Sequence, residues 1–208
     1  MAACRSNARE LLEEYDALLS RSHFARAYAL LHTACEELAK FSILELAGQR
    51  VALANPPDWK RFWQRFRSHD SKIAQLDVQL LYLLAESEEV LDRKIVEAAE
   101  TLFDYGLVIR NSALYADTGP DEKFRKPSDI DFSVPLPALH NVAKVALAAA
   151  DRRGCSINDI ELSLRELPSQ LAKQNNLKVL FKVFQRAKDA GVSKDKLEEI
   201  IAKGYRRS

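Results

Sequence analysis

Apolar positions along this chain recur every three or four residues and nowhere alternate with polar ones over the length of a strand. That period belongs to helices with one buried stripe. It predicts a first helix over about residues 7–19 and a break over 20–23, with Ser22 as a plausible N-cap. A second, long helix follows over about residues 23–54, where "NPP" stops it. Asp58 caps a third helix that lasts to about residue 85, its stripe being Phe62, Phe66, Ile73, Leu76, Leu80 and Leu84. A fourth runs over about residues 88–116 and turns Ile95, Ala98, Ala99, Leu102, Gly106, Ile109 and Ala113 to the core. Residues 117–135 are polar and carry prolines, hence a loop, and residues 136–153 return to the helical period and can pack back on the bundle.

The remainder reads differently. Pro168, "QNN" and Gly191 punctuate a few short helices beyond residue 155. The expected division is a helical bundle over residues 1–153 and a small basic helical appendage over 154–208. Six glycines in 208 residues and no Asn-Gly or Asp-Gly hairpin signal support an all-α fold.

Composition narrows the setting. The formal net charge is only +1, so charge alone does not announce a nucleic-acid binder. The charge is uneven, however, with 13 Lys/Arg against 7 Asp/Glu in residues 152–208. Lys178, Lys182, Arg186, Lys188, Lys194 and Lys196 are among the cations that could attract RNA or an acidic partner there. Three widely spaced cysteines without a CxxC are no disulfide framework, and the N-terminus lacks an apolar signal core. No apolar run is long enough to span a membrane. These features point to a cytoplasmic, reducing setting.

Chemistry is carried by three stretches. In "HTACEELAKFSIL" the wheel puts Phe24, Ala27, Leu31, Ala34, Leu38 and Phe41 on one face and Glu36 and Lys40 almost opposite. Their own face carries Ala25, Ala29, Ile43 and Ala47, so the helix is small or apolar nearly all round and is buried on two sides. Glu36 and Lys40 are then expected as a partly buried i,i+4 pair, either a plain helix stabiliser or part of a site. In "RFRSHDSK", His69 falls within the apolar stripe and Lys72 at its edge, a satisfied core histidine being the plainer reading. No second His or Cys stands at metal-ligand spacing, so neither a metal nor another cofactor is expected. Arg110 lies on the border of the fourth helix's stripe, one turn after Gly106, whose missing side chain permits a close approach. A structural pairing of Arg110 with Glu36 accounts for it as well as a catalytic role does.

Taken together and in order, "EELAK", "FRSHDSK" and "RNSALYAD" resemble the AbiV family of bacterial abortive-infection proteins, within the HEPN superfamily. The resemblance spans roughly residues 20–118. It implies an up-and-down helical bundle that forms a homodimer. It also implies a metal-independent endoribonuclease, whose arginine, followed by a polar residue, precedes a histidine on a late helix and is supported by an acid on an earlier one. Arg110 and Asn111 match the first two positions, and Glu36 or Glu37 the supporting acid, with Asp117 closing the motif. Tyr115 stands where the superfamily has histidine, and a phenol titrating near 10 is no base at pH 7. His69 is the substitute base, Tyr115 a general acid or a stacking ring, and Lys40 and Lys72 the RNA-binding cations.

Two functions follow as expectations. One is an RNase effector that cleaves RNA, arrests translation and is silent until a phage-encoded activator triggers it. The other is a non-catalytic HEPN bundle, in which the same polar residues fix helix register or a dimer interface while the protein binds a phage or translation component. A DNA-binding role rests only on the basic appendage, with no convincing helix-turn-helix beside it.

Overall fold

The computed structural model describes residues 1–76, 106–118, 124–132 and 135–154, together with residues 158, 160 and 195. The expected continuation of the third helix beyond Leu76, the fourth helix before Gly106 and nearly all of the basic appendage lie outside the described residues. The described chain is all-α in class. Helix α1 spans Ala2–Leu19, α2 Phe24–Ala52 and α3 Trp59–Arg67. Residues 69–76 form α4 and residues 106–114 form α5. Helix α6 spans Pro135–Asp151.

Helix α2 is the axis of the bundle. Ala27, Leu31, Ala34, Leu38 and Phe41 are buried against Ala8, Leu12 and Tyr15 of α1 and Leu139, Val142, Ala143 and Ala146 of α6. Ile43 and Ala47, on its other side, are covered by Phe62 and Phe66 of α3 in a separate small core. The two-sided burial expected of this helix is therefore satisfied within the chain. Phe24, at its first turn, departs from the pattern and is half exposed. Ion pairs fasten the ends: Arg9 to Asp151 at 2.6 Å, and Arg153 to Glu45 at 2.7 Å. Ile160 also reaches α2, where its Cδ1 lies over Gly48, at 2.8 Å from where a β-carbon would stand. A side chain at position 48 would push the end of Ile160 aside.

Three boundaries differ from the sequence reading. Helix α1 begins at Ala2, five residues before the expected start at Asn7. Ser22 does not cap α2. It takes a left-handed φ of 60°, with its own N–H on the Leu19 carbonyl and that of His23 on the Leu18 carbonyl. This is a Schellman ending for α1, with serine in the place glycine usually fills. Ala54 ends α2 in the same way at φ 54°, with Asn55 N–H on the Arg50 carbonyl, before Pro56 and Pro57 prevent the helix from resuming. The expected third helix is in fact two. Asp58 caps α3 through the N–H groups of Lys60 and Arg61, as expected, but Ser68 leaves the helix at ψ 126°. Its hydroxyl then accepts from Ser71 N–H at 3.2 Å and starts α4 in a new direction.

The loop after α5 also holds more order than expected. Asp117–Thr118 and Phe124–Arg125 form a two-residue antiparallel ladder, followed by a 3-10 turn at Pro127–Asp129. Phe132 then inserts into the core, its ring 5.4 Å from that of Tyr28. So short a ladder leaves the fold class unchanged.

The Ser68 cap is a small element with large leverage, because it sets where α4 points. Ser68→Ala is expected to lower unfolding free energy by about 1 kcal/mol, measured by urea denaturation. An unchanged midpoint would show that α4 starts without this cap.

Candidate functional site

The site grows from one carboxylate. Glu36 lies mid-way along α2 and is only 5% exposed. Burying a lone carboxylate costs several kcal/mol or more, so partners must come from elsewhere, and the Ser68 break supplies them. As α4 restarts, His69 and Lys72 fall on its first turn and both turn to α2. The Nδ1–H of His69 donates to Glu36 Oε1 at 2.6 Å, and Lys72 Nζ donates to Glu36 Oε2 at 2.5 Å. Burial pushes the Glu36 carboxyl up, but the hydrogen bonds and charges of Lys72 and His69 outweigh it and hold the carboxyl below its ordinary range. Glu36 is therefore a carboxylate at neutral pH.

The His69 bond has a chemical consequence. A neutral ring that donates from Nδ1 keeps its lone pair on Nε2. The ring is 43% exposed while its carboxylate partner is buried. A buried acid thus orients a partly exposed histidine through Nδ1 and leaves Nε2 out of that bond, the arrangement a general base requires.

His32 completes the cluster and was missed in the sequence. It lies one turn before Glu36 on α2, fully buried, with Nδ1 3.4 Å from Glu36 Oε1. Neither of its ring nitrogens has a hydrogen-bond partner among the described residues. Burial lowers its pKa to about 4; Glu36 pulls the other way, while the Arg110 and Lys72 cations add to the lowering. At 3.4 Å the contact is within ion-pair range, but a neutral ring without hydrogen-bond geometry makes no ion pair. The signal for His32 was available: any wheel that turns Glu36 inward turns residue 32 inward with it.

Other expected residues are placed differently. The Glu36–Lys40 pair is not formed; Lys40 Nζ instead lies 2.5 Å from Glu37 Oε1 and 5.9 Å from the centre of the Phe66 ring. Glu37 faces Lys40 and the Cys4 thiol, away from His69. Lys72 is 4% exposed and committed to Glu36, so its ammonium supports that carboxylate instead of standing on the surface. Arg110 makes no ion pair with Glu36 among the described residues. Its charge bears on His32, and its Nε is buried without a partner. Asn111 is exposed, and Tyr115, just past the end of α5, is 65% exposed with its backbone N–H on the Asn111 carbonyl. Asp117 lies in the first strand of the ladder.

A groove of about 760 Å³ opens along the first turns of α2, lined by Phe24, Ala29, Leu30, Leu114, Ile130 and Lys126, among others. Ala29 and Ala113 both line it, about one turn before His32 on α2 and one turn after Arg110 on α5. The two helices therefore run antiparallel at this seam. Among the described residues, no group of three or more His, Cys, Asp or Glu could hold a metal ion. No described helix is long and apolar enough to cross a membrane.

Comparison with known proteins gives one match. The HEPN-AbiV family model, described as AbiV, matches residues 1–147. No curated protein and no solved structure matches the chain.

Two measurements test this electrostatic picture. Glu36→Gln leaves the buried Lys72 ammonium uncompensated and is expected to cost roughly 3–5 kcal/mol; combining it with Lys72→Met should recover part of that loss in a double-mutant cycle. The second is pH dependence. A histidine titrating at about 4 when folded and 6.5 when unfolded binds more protons in the unfolded chain. Stability must then fall as pH drops from 6.5 toward 4. Glu36, held below the ordinary carboxylate range, adds a further loss at still lower pH. His32→Phe should flatten the upper part of the profile; an unaltered slope between pH 6.5 and 4 would show that His32 is not buried neutral.

Proposed function

The chain belongs to the AbiV family of HEPN-type abortive-infection proteins, and on that premise we propose that it is an antiphage effector acting as a metal-independent endoribonuclease. The observation that carries the reading is the buried Glu36 carboxylate orienting the partly exposed ring of His69 through Nδ1. His69 Nε2 takes the proton of a ribose 2′-hydroxyl. The oxygen attacks the adjacent phosphorus, the bond to the 5′-oxygen breaks, and that oxygen leaves with a proton from solvent or from the Tyr115 hydroxyl. The products are a 2′,3′-cyclic phosphate and a 5′-hydroxyl. Arg110, partly buried and unpaired at Nε, stabilises the pentacoordinate phosphate. Lys72 holds Glu36 ionised and in place. RNA as substrate, a homodimer as the working form, a phage-encoded trigger and a separate basic appendage over residues 154–208 belong to this proposal.

A second reading has its own support. Tyr115 stands exposed where the family resemblance expects a histidine, and the Glu36–Lys72 pair is buried. Such a network can simply fix α4 on α2 in a non-catalytic bundle that binds a phage or translation component.

Purified protein incubated with total RNA in EDTA separates the two. Cleavage should yield ends that bear a cyclic phosphate. His69→Ala should reduce it by about a hundredfold or more, and Arg110→Lys should behave like Arg110→Ala because lysine lacks the planar fork. Tyr115→Phe should lose less. Folded His69→Ala and Arg110→Lys proteins that still cleave, or still arrest growth when triggered, would exclude these residues from the chemistry.

A further inference from the structure

Helix α3 reads "WKRFWQRFR", four cations and four aromatic rings with no acidic residue in nine positions. Its apolar side is already spent: Phe62 is buried, and Phe66 packs with it on Ile43, Leu44 and Ala47 of α2. What remains outside is unusual. Trp59 and Trp63, one turn apart, are 50% and 46% exposed. Both stand edge-on to Phe62, at 5.5 and 5.0 Å between ring centres, which holds them rigidly. Lys60, Trp63 and Arg67 follow one another along the exposed side at helical spacing, and the Arg67 guanidinium lies 5.8 Å from the centre of the Trp63 ring. Lys60 and Arg67 have no acidic partner among the described residues. Arg50, Arg61 and Arg65 line a shallow depression on the adjoining side, where Asp58 is the one carboxylate.

We infer that this face is a binding surface for single-stranded RNA, with Trp59 and Trp63 stacking bases and Lys60, Arg61 and Arg67 meeting phosphates. Stacking platforms flanked by cations are how proteins hold single strands without reading sequence. The occupant rests on the endoribonuclease reading and on continuity. The chain passes from Arg67 through Ser68 directly to His69, so α3 adjoins in sequence the residue that this reading makes the base. An anionic membrane is disfavoured by the same geometry. Helices that lie in a bilayer interface bury a broad apolar face, and that of α3 is buried against α2.

The chain supplies its own probe, because Trp59 and Trp63 are its only two tryptophans. The full chain is titrated with a 2′-O-methyl oligouridine of about 12 nucleotides, which lacks the hydroxyl that cleavage needs. The expected result is quenching of tryptophan fluorescence with salt-sensitive affinity. Trp63→Ala should weaken binding about tenfold, followed by anisotropy of a labelled strand, and Lys60→Glu with Arg67→Glu should abolish it at moderate salt. Because Trp63, Lys60 and Arg67 are all exposed, the variants should keep the thermal unfolding of the parent. Binding without cleavage of ordinary RNA supports this surface while removing the catalytic reading. Cleavage that persists in Trp63→Ala and Lys60→Glu/Arg67→Glu proteins with unaltered strand affinity overturns the surface. So does a blue shift on vesicles of anionic phospholipid with no response to the oligonucleotide.

Discussion

A single carboxylate taken out of water organises this molecule. Glu36 cannot remain charged inside a bundle unless donors reach it, and those that do lie more than thirty residues further along the chain, on a different helix. The break at Ser68 therefore has a function that helix propensity alone would not suggest. It ends α3 where the aromatic rings have finished packing, and restarts the chain so that its next turn delivers His69 and Lys72 to the same acid. Two oxygens are each satisfied by one donor, which fixes the approach of α4 to α2 as firmly as the surrounding apolar contacts do. Whether the cluster cleaves RNA or only sets register, its geometry follows from that one requirement.

Much of this was legible in the sequence, for a definite reason. Helices with one buried stripe announce themselves by spacing, so α2, α6 and the cap at Asp58 could be read directly, as could the inward turn of Glu36. The AbiV resemblance rested on the same three stretches that the fold brings into play, and the family match agrees with it. What could not be read was anything decided by a single dihedral or by competition between partners. A serine within an amphipathic stripe looks the same whether the helix continues or breaks, and Ser68 breaks it. Ser22 and Ala54 adopt left-handed conformations that their residue types disfavour, because the chain must turn there and holds no glycine at either place. Lys40 had two acids within reach, and the wheel does not show that Lys72 would already have claimed Glu36.

His32 and Arg110 give the cluster its electrostatic sign. The Glu36 carboxylate holds His69 and Lys72, while His32 stands beside it and Arg110, whose charge bears on His32, makes no ion pair with it among the described residues. His32 answers by remaining neutral, at the cost of two ring nitrogens without partners. Arg110 keeps its charge but leaves Nε unpaired. Buried donors in this condition are unusual in stable interiors. Among the described residues they stand without partners.

The small core beneath α3 has a consequence for motion. Ile43, Ala47 and Phe62, with Leu44 and Phe66 beside them, form a cluster separate from the main interior. An element held by so few buried side chains opens at lower free energy than the whole domain. Helix α3 is thus a small cooperative unit of its own, bounded by Asp58 and Ser68, whose amides exchange through local excursions while those in the middle of α2 wait for global unfolding. Because Ser68 also begins the turn that bears His69, the bond from that imidazole to Glu36 stands next to the part of the bundle that opens most easily.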